Sequence, residues 1–126
     1  MIFVDTNFFL RFLLEDIDDQ YLEAKQLFLE GAQAKATLVT STIVFFEIYW
    51  VLHSFYGRKK KELIAILVKI LSMTFIILEE RTVLTESLNL FQKTNFSLED
   101  CYNLSYAKDK SAKDFKSFDV KLAKFF

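Results

Sequence analysis

Three observations predict an α/β fold with three α/β/α layers: a central parallel sheet of four or five strands with helices on both faces. Short apolar runs alternate with longer stretches of helical periodicity along the chain. The resulting order, β α α β α α β α α β α, gives parallel strands joined through crossover helices. No linker, internal repeat or low-complexity stretch interrupts that order, so residues 1–126 are expected to form a single domain.

Residues 2–5 end the run Ile2, Phe3, Val4 in Asp5 and predict a strand apolar on both faces, as in the middle of a parallel sheet. NFFLRFLL at 7–14 predicts a first helix. Residues 18–30 predict a second, with Tyr21, Leu22, Lys25, Phe28 and Leu29 at helical spacing and Gly31 as its stop. ATLVT at 36–40 is a short strand. STIVFFEIYWVLHSFYG then predicts a helix from a Ser41 or Thr42 cap to Gly57. Residues 59–71 give another helix, and MTFIIL at 73–78 another strand. Helices follow at 80–93 and 97–109, then a short strand at about 115–118 and a last turn or two of helix. Proline is absent and only Gly31 and Gly57 occur, so turns are expected to rely on Asn, Asp, Ser and Lys.

With 52% hydrophobic and 17% aromatic residues, 15 of them Phe, the chain can bury a core without disulfides, and disorder is excluded. The single Cys101 has no partner for an internal bridge, which points to a reducing, cytoplasmic setting. Asp5 and Arg11 break the apolar start, so no secretory leader is expected. The run at 63–78 is short for a membrane span and carries Lys69, which predicts no membrane partner. A net charge of −1 argues against gripping nucleic acid by bulk charge, so any such contact must be local.

The chemistry lies in the carboxylates. Asp5 falls at a strand's carboxyl end, where ligands of open α/β sheets bind; capping the next helix would explain it equally well. Glu47 lies inside the stripe Val44, Ile48, Val51, Leu52 and Phe55. A carboxylate buried there must pair with a base, take up a proton or face a metal, unless the helix is so apolar all round that Glu47 faces outward. Asp100 sits near a helix start, where it and Glu99 would also suit the helix dipole. Asp119 repeats the setting of Asp5 after Ser117-Phe118, again with capping as the plain alternative. Four carboxylates sharing one pocket need a counter-charge. Hard divalent cations supply it, and one or two ions of Mg²⁺ or Mn²⁺ fit better than zinc, because the chain has one His and one Cys. Such a site suits hydrolysis of phosphodiesters.

These residues also resemble the motifs of a known family. VDTN at 4–7, STIVFFEIYWVL at 41–52, FSLEDCYNLSYA at 96–107 and SFDVKL at 117–122 are similar, in order and spacing, to the four motifs of the PIN-domain family, most closely its VapC-type toxin ribonucleases. The resemblance implies a PIN-like fold and a metal-dependent endoribonuclease of a type II toxin–antitoxin pair. It implies catalytic and metal-binding roles for Asp5, Glu47, Asp100 and Asp119, a homodimer, an RNA substrate and a cognate antitoxin protein. Third motifs often carry a second acid two or three residues before the aspartate; Ser97 and Leu98 stand there instead, and Glu99 is given no role. Many members also continue into a further strand after the fourth motif.

Supporting roles follow from position. Thr6, Asn7 and Ser117 stand beside motif acids and would orient carboxylates by hydrogen bonds, although Asn7 would also serve as a helix cap. Arg11 would meet an RNA phosphate or be a plain surface Arg. RKKK at 58–61 would steer RNA or, as the plainer reading, form a solvated helix start. The lysines 108, 110, 113 and 116 are better candidates for contacting a nucleic-acid backbone. The aromatic residues of 7–14 and 41–56 suit a dimer or antitoxin surface, or a Phe-rich core. A binding module without catalysis and an aspartyl-phosphate enzyme using Asp5 are the other classes, but the latter calls for a second Asp where Asn7 stands. A Cys101–His53 dyad has nothing in the sequence to bring its members together.

Overall fold

The computed structural model describes all 126 residues, with elements in the order β1 (Ile2–Phe3), α1 (Thr6–Leu14), α2 (Asp18–Ala32), β2 (Leu38–Val39), α3 (Thr42–Ser54), α4 (Lys60–Leu71), β3 (Ile76–Ile77), α5 (Arg81–Lys93), α6 (Leu98–Asp109) and α7 (Val120–Phe125). The fold is helix-rich α/β, with seven helices and one parallel sheet of three strands. It divides into two compact units, Met1–Glu79 and Glu80–Phe126.

The first unit contains the whole sheet, ordered β1-β2-β3. Ile2 pairs with Leu38 and Phe3 with Val39, while Leu38 and Val39 pair in turn with Ile76 and Ile77. Helix α1 packs on α2 and α3, and α3 on α4. Val4, Phe9, Phe28, Leu38, Val44, Phe45, Ile48, Leu52, Leu63, Leu67 and Ile76 form the core, each almost free of solvent. Burying each such side chain contributes about 1.5–3 kcal/mol. Part of the Phe content is thus spent inside, where the Phe28 ring lies 5.4 Å from that of Phe9 and 5.0 Å from that of Phe12.

The second unit is helical. Helix α5 lies along α6, burying Val83, Leu84, Leu88, Phe91, Leu98, Cys101 and Leu104, and Leu122 of α7 is buried as well. The Phe96 and Phe125 rings meet edge to face at 5.4 Å.

Four expectations change. First, the sheet has three strands rather than four or five, because no strand forms at 115–118. Side chains there satisfy the backbone locally: Asp114 Oδ1 accepts from the Phe115 N–H at 2.9 Å and Ser117 Oγ from the Asp119 N–H at 3.0 Å. Such bonds compete with a ladder. Second, β2 rather than β1 is the middle strand, and Ile2 and Phe3 are 43% and 55% exposed. Third, Gly31 does not stop its helix, which continues to Ala32. A Cβ on Gly31 would stand 2.6 Å from Leu38 Cδ1, so glycine is there to let α2 approach β2. Fourth, the left-handed turn positions fall to Glu15, Ala34 and Ser111 besides Gly57, and only Ser111 is of an expected type.

Candidate active site

Parallel pairing places the carboxyl ends of β1, β2 and β3 side by side, and the chain is tied down there. The Val4 N–H donates to Val39 O at 2.8 Å, and Thr40 Oγ1 donates to Val4 O at 2.9 Å. The Thr40 N–H donates to Ile77 O at 3.0 Å. Val4, 1% exposed, is thus fixed at both its polar groups immediately before Asp5.

Asp5 takes the N-cap position of α1, yet its side chain makes no capping bond. The residue is exposed. The next residue, Thr6, is buried, and its Oγ1 has no hydrogen-bond partner. Asn7 is exposed on the same first turn. A junction that leaves a free carboxylate beside an orphaned buried hydroxyl gains nothing from either group as structure.

Glu47 projects from the second turn of α3. Ser41 starts that helix by accepting from the Val44 N–H at 3.4 Å, which sets where Glu47 falls. Around it Val44, Phe45, Phe46, Ile48 and Tyr49 are buried, and Glu47 itself is half-buried. No ion pair or hydrogen bond engages its carboxylate. The basic partner that would have made it a structural residue is therefore missing.

Asp100 and Asp119 belong to the second unit. Ser97 caps α6 by accepting from the Asp100 N–H at 3.1 Å, leaving the half-buried Asp100 carboxylate itself unengaged. Asp119 behaves differently from Asp5. Its Oδ1 accepts from the Leu122 N–H at 3.2 Å and so caps α7. Ser117, half-buried, uses its Oγ on the Asp119 backbone.

Neither unit by itself gathers three or more His, Cys, Asp or Glu side chains into a set that would hold a metal ion. Within the first unit the donor types still suit a hard cation: the Asp5 and Glu47 carboxylates have no partners, and the unpartnered Thr6 hydroxyl stands next to Asp5. Mg²⁺ commonly takes only one or two carboxylates and fills its remaining positions with water and substrate phosphate.

Other candidates have other duties. Arg11 holds Asp16 with Nη1 at 3.0 and 3.1 Å and reaches the Tyr56 hydroxyl with Nη2 at 3.4 Å. An RNA phosphate would have to compete with Asp16 for it. Arg58 pairs with Glu62 one turn along α4, as a solvated helix start would. Lys116 pairs with Asp114 at 2.7 Å, which raises the lysine's pKa and lowers the carboxyl's. The Cys101 thiol is fully buried, 3.7 Å from Thr94 Oγ1, and so is shielded from any reaction in solvent. His53 stacks on Tyr49.

Sequence reasoning missed Thr40. A β-branched residue closing ATLVT reads as an ordinary strand former, and only the register reveals its cross-strand bond. It also missed the Tyr102 hydroxyl, which donates to both carboxylate oxygens of Glu80 at 2.9 Å. Burial and that carboxylate push the phenol's pKa well above its usual value near 10.

A cavity of about 650 Å³ in the second unit, walled by Val83, Leu90, Leu104, Ser105 and Phe125 among others, includes none of the four acids. It is not where this chemistry would occur.

The family profile of the PIN domain matches residues 2–125, a span that includes all four motifs. The chain belongs to the PIN-domain family. No curated protein sequence matches it. PIN domains are in general metal-dependent nucleases. The three-stranded parallel sheet and seven helices of this member are consistent with the family's fold. No helix of this PIN domain is long and apolar enough to cross a membrane.

Proposed function

We propose that this PIN domain is a Mg²⁺- or Mn²⁺-dependent endoribonuclease, the VapC-type toxin of a type II toxin–antitoxin pair, acting in the cytoplasm on RNA phosphodiester bonds. Asp5, Glu47, Asp100 and Asp119 are the carboxylates that serve it. The observation that carries this reading is that Asp5 and Glu47, at the two positions where a cap or a salt bridge would have explained them, do neither.

A bound divalent cation would activate a water and offset the charge that builds on the phosphate. The chain's own residues supply the rest. Asp5 and Glu47 hold negative charge on a scaffold fixed by the strand ends and the Ser41 cap. The Thr6 hydroxyl is free to orient a water or a carboxylate oxygen beside Asp5. Asp119 keeps one oxygen on the α7 cap, which fixes the direction of the other. The exposed apolar residues Ile43, Trp50 and Phe55 around α3 suit an antitoxin or a second copy of the chain.

Incubation of the purified protein with mixed cellular RNA tests this. Expected is internal cleavage with Mg²⁺ or Mn²⁺, loss on adding EDTA and recovery on restoring the cation. The absence of a three-acid cluster within either unit favours a second reading, a catalytically silent RNA- or protein-binding module. RNA retained but uncut at every cation concentration would establish that reading instead.

A further inference from the structure

The two motif acids of the first unit, Asp5 and Glu47, share one anchoring point, and it is not an acid. Thr40 is buried and engages all three strands: it continues β2, its N–H donates to Ile77 O in β3, and its Oγ1 donates to Val4 O after β1. The bond to Val4 fixes the carbonyl of the peptide whose nitrogen belongs to Asp5. The residue after Thr40 is Ser41, whose hydroxyl starts α3 and so places Glu47. Strand pairing does not require the hydroxyl, because the Val4 N–H already has Val39 O. What the hydroxyl adds is orientation at the one peptide through which Asp5 leaves the sheet.

We propose that Thr40 is a positioning residue for the nuclease reaction, holding the Val4–Asp5 peptide so that the Asp5 carboxylate keeps the direction the reaction needs. This rests on the nuclease reading above. A misplacement of about 1 Å at a reacting group can cost on the order of 100-fold in rate, so the bond that fixes the peptide leading into Asp5 bears on the reaction. Valine has nearly threonine's shape without the hydroxyl, so Thr40→Val removes the bond with little change in packing. Thr40→Ser keeps the donor and loses only a methyl.

The test measures RNA cleavage by wild type, Thr40→Val and Thr40→Ser, each well below its Tm, together with the backbone amide NMR shifts of Asp5 and Thr6 in each. Expected is a kcat about 10- to 100-fold lower in Thr40→Val with KM for RNA little changed. Thr40→Ser should stay within about 3-fold of wild type, and the two amide shifts should move in Thr40→Val and hold in Thr40→Ser. Wild-type kcat in Thr40→Val, or an equal loss in Thr40→Ser, would overturn the proposal. If Thr40→Val does not fold, Thr40→Ser still tests the proposal: a kcat within about 3-fold of wild type supports it and a larger loss overturns it. A wild type that cuts no RNA would refute the nuclease reading and this proposal with it, whereas a wild type that cuts RNA beside an undiminished Thr40→Val would overturn the proposal alone.

Discussion

Asp5 and Asp119 occupy the same kind of place, an aspartate after a short apolar piece and just before a helix, yet they are used differently. Asp119 turns its Oδ1 to the Leu122 N–H and starts α7. Asp5 has extended backbone angles, φ −87° and ψ 169°, and makes no capping bond to α1. The difference follows from what else holds each helix. The longer α1 packs on α2 and α3 and is anchored by Phe9 and Leu10. The six residues of α7 bury only Leu122 and depend more on their cap. A helix held by packing leaves its first aspartate unengaged, whereas a short helix draws on it for structure.

The largest expected effect breaks function without touching the fold. Glu47→Gln should lower RNA cleavage by about 100-fold or more while leaving Tm unchanged or slightly raised, because the carboxylate has no partner to lose. A clear drop in Tm would reveal a structural role instead. Next come two substitutions at Asp119. Asp119→Ala should cost about 1 kcal/mol through the lost cap, whereas Asp119→Asn keeps a capping oxygen and should melt near wild type. Both should lose cleavage, so activity and stability separate at this one residue. Equal stability of the two variants in denaturant melts would remove the contrast with Asp5.

Smaller effects extend the comparison to hydroxyls. Ser87 and Ser105 are both buried in the second unit, but Ser87 Oγ donates to Val83 O at 2.7 Å while Ser105 Oγ has no partner. Ser105→Ala should therefore stabilise by about 0.5–1 kcal/mol, since it removes an unsatisfied group and adds a better helix former. A loss of stability would show that the hydroxyl is engaged. The smallest effect is alkaline. The Tyr102 phenol has a raised pKa in the folded state, so the folded protein keeps its proton after the unfolded chain releases it. Its contribution is complete below pH about 10 and falls as pH rises above that value. Urea midpoints of Tyr102→Phe should decline less steeply above that pH than those of wild type.

Much of the fold was legible where helices announce their ends, although Gly31 did not end α2. Ser41 and Gly57 bracket α3, and Ser97 marks the start of α6 to the residue. The strands proved shorter than their apolar runs, since side-chain type reports burial better than pairing. The stretch at 115–118 misled because Asp114 and Ser117 satisfy nearby N–H groups themselves, a choice that Phe115 and Phe118 do not reveal. The four motif acids could be picked out, but not how each is used. Whether an aspartate caps depends on where its side chain turns, and whether Glu47 has a base depends on residues far away in the chain. Thr40 was illegible because its role exists only once the register sets it against Val4.

Asp5→Asn offers the most direct measurement. The substitution keeps size and one acceptor oxygen and removes the charge, and its RNA cleavage and its Tm in metal-free buffer are read side by side with wild type. Expected is cleavage lowered by at least about 100-fold with a Tm no lower than that of wild type. Undiminished cleavage, or a Tm that falls with the activity, would mean that the charge on Asp5 is not there for catalysis.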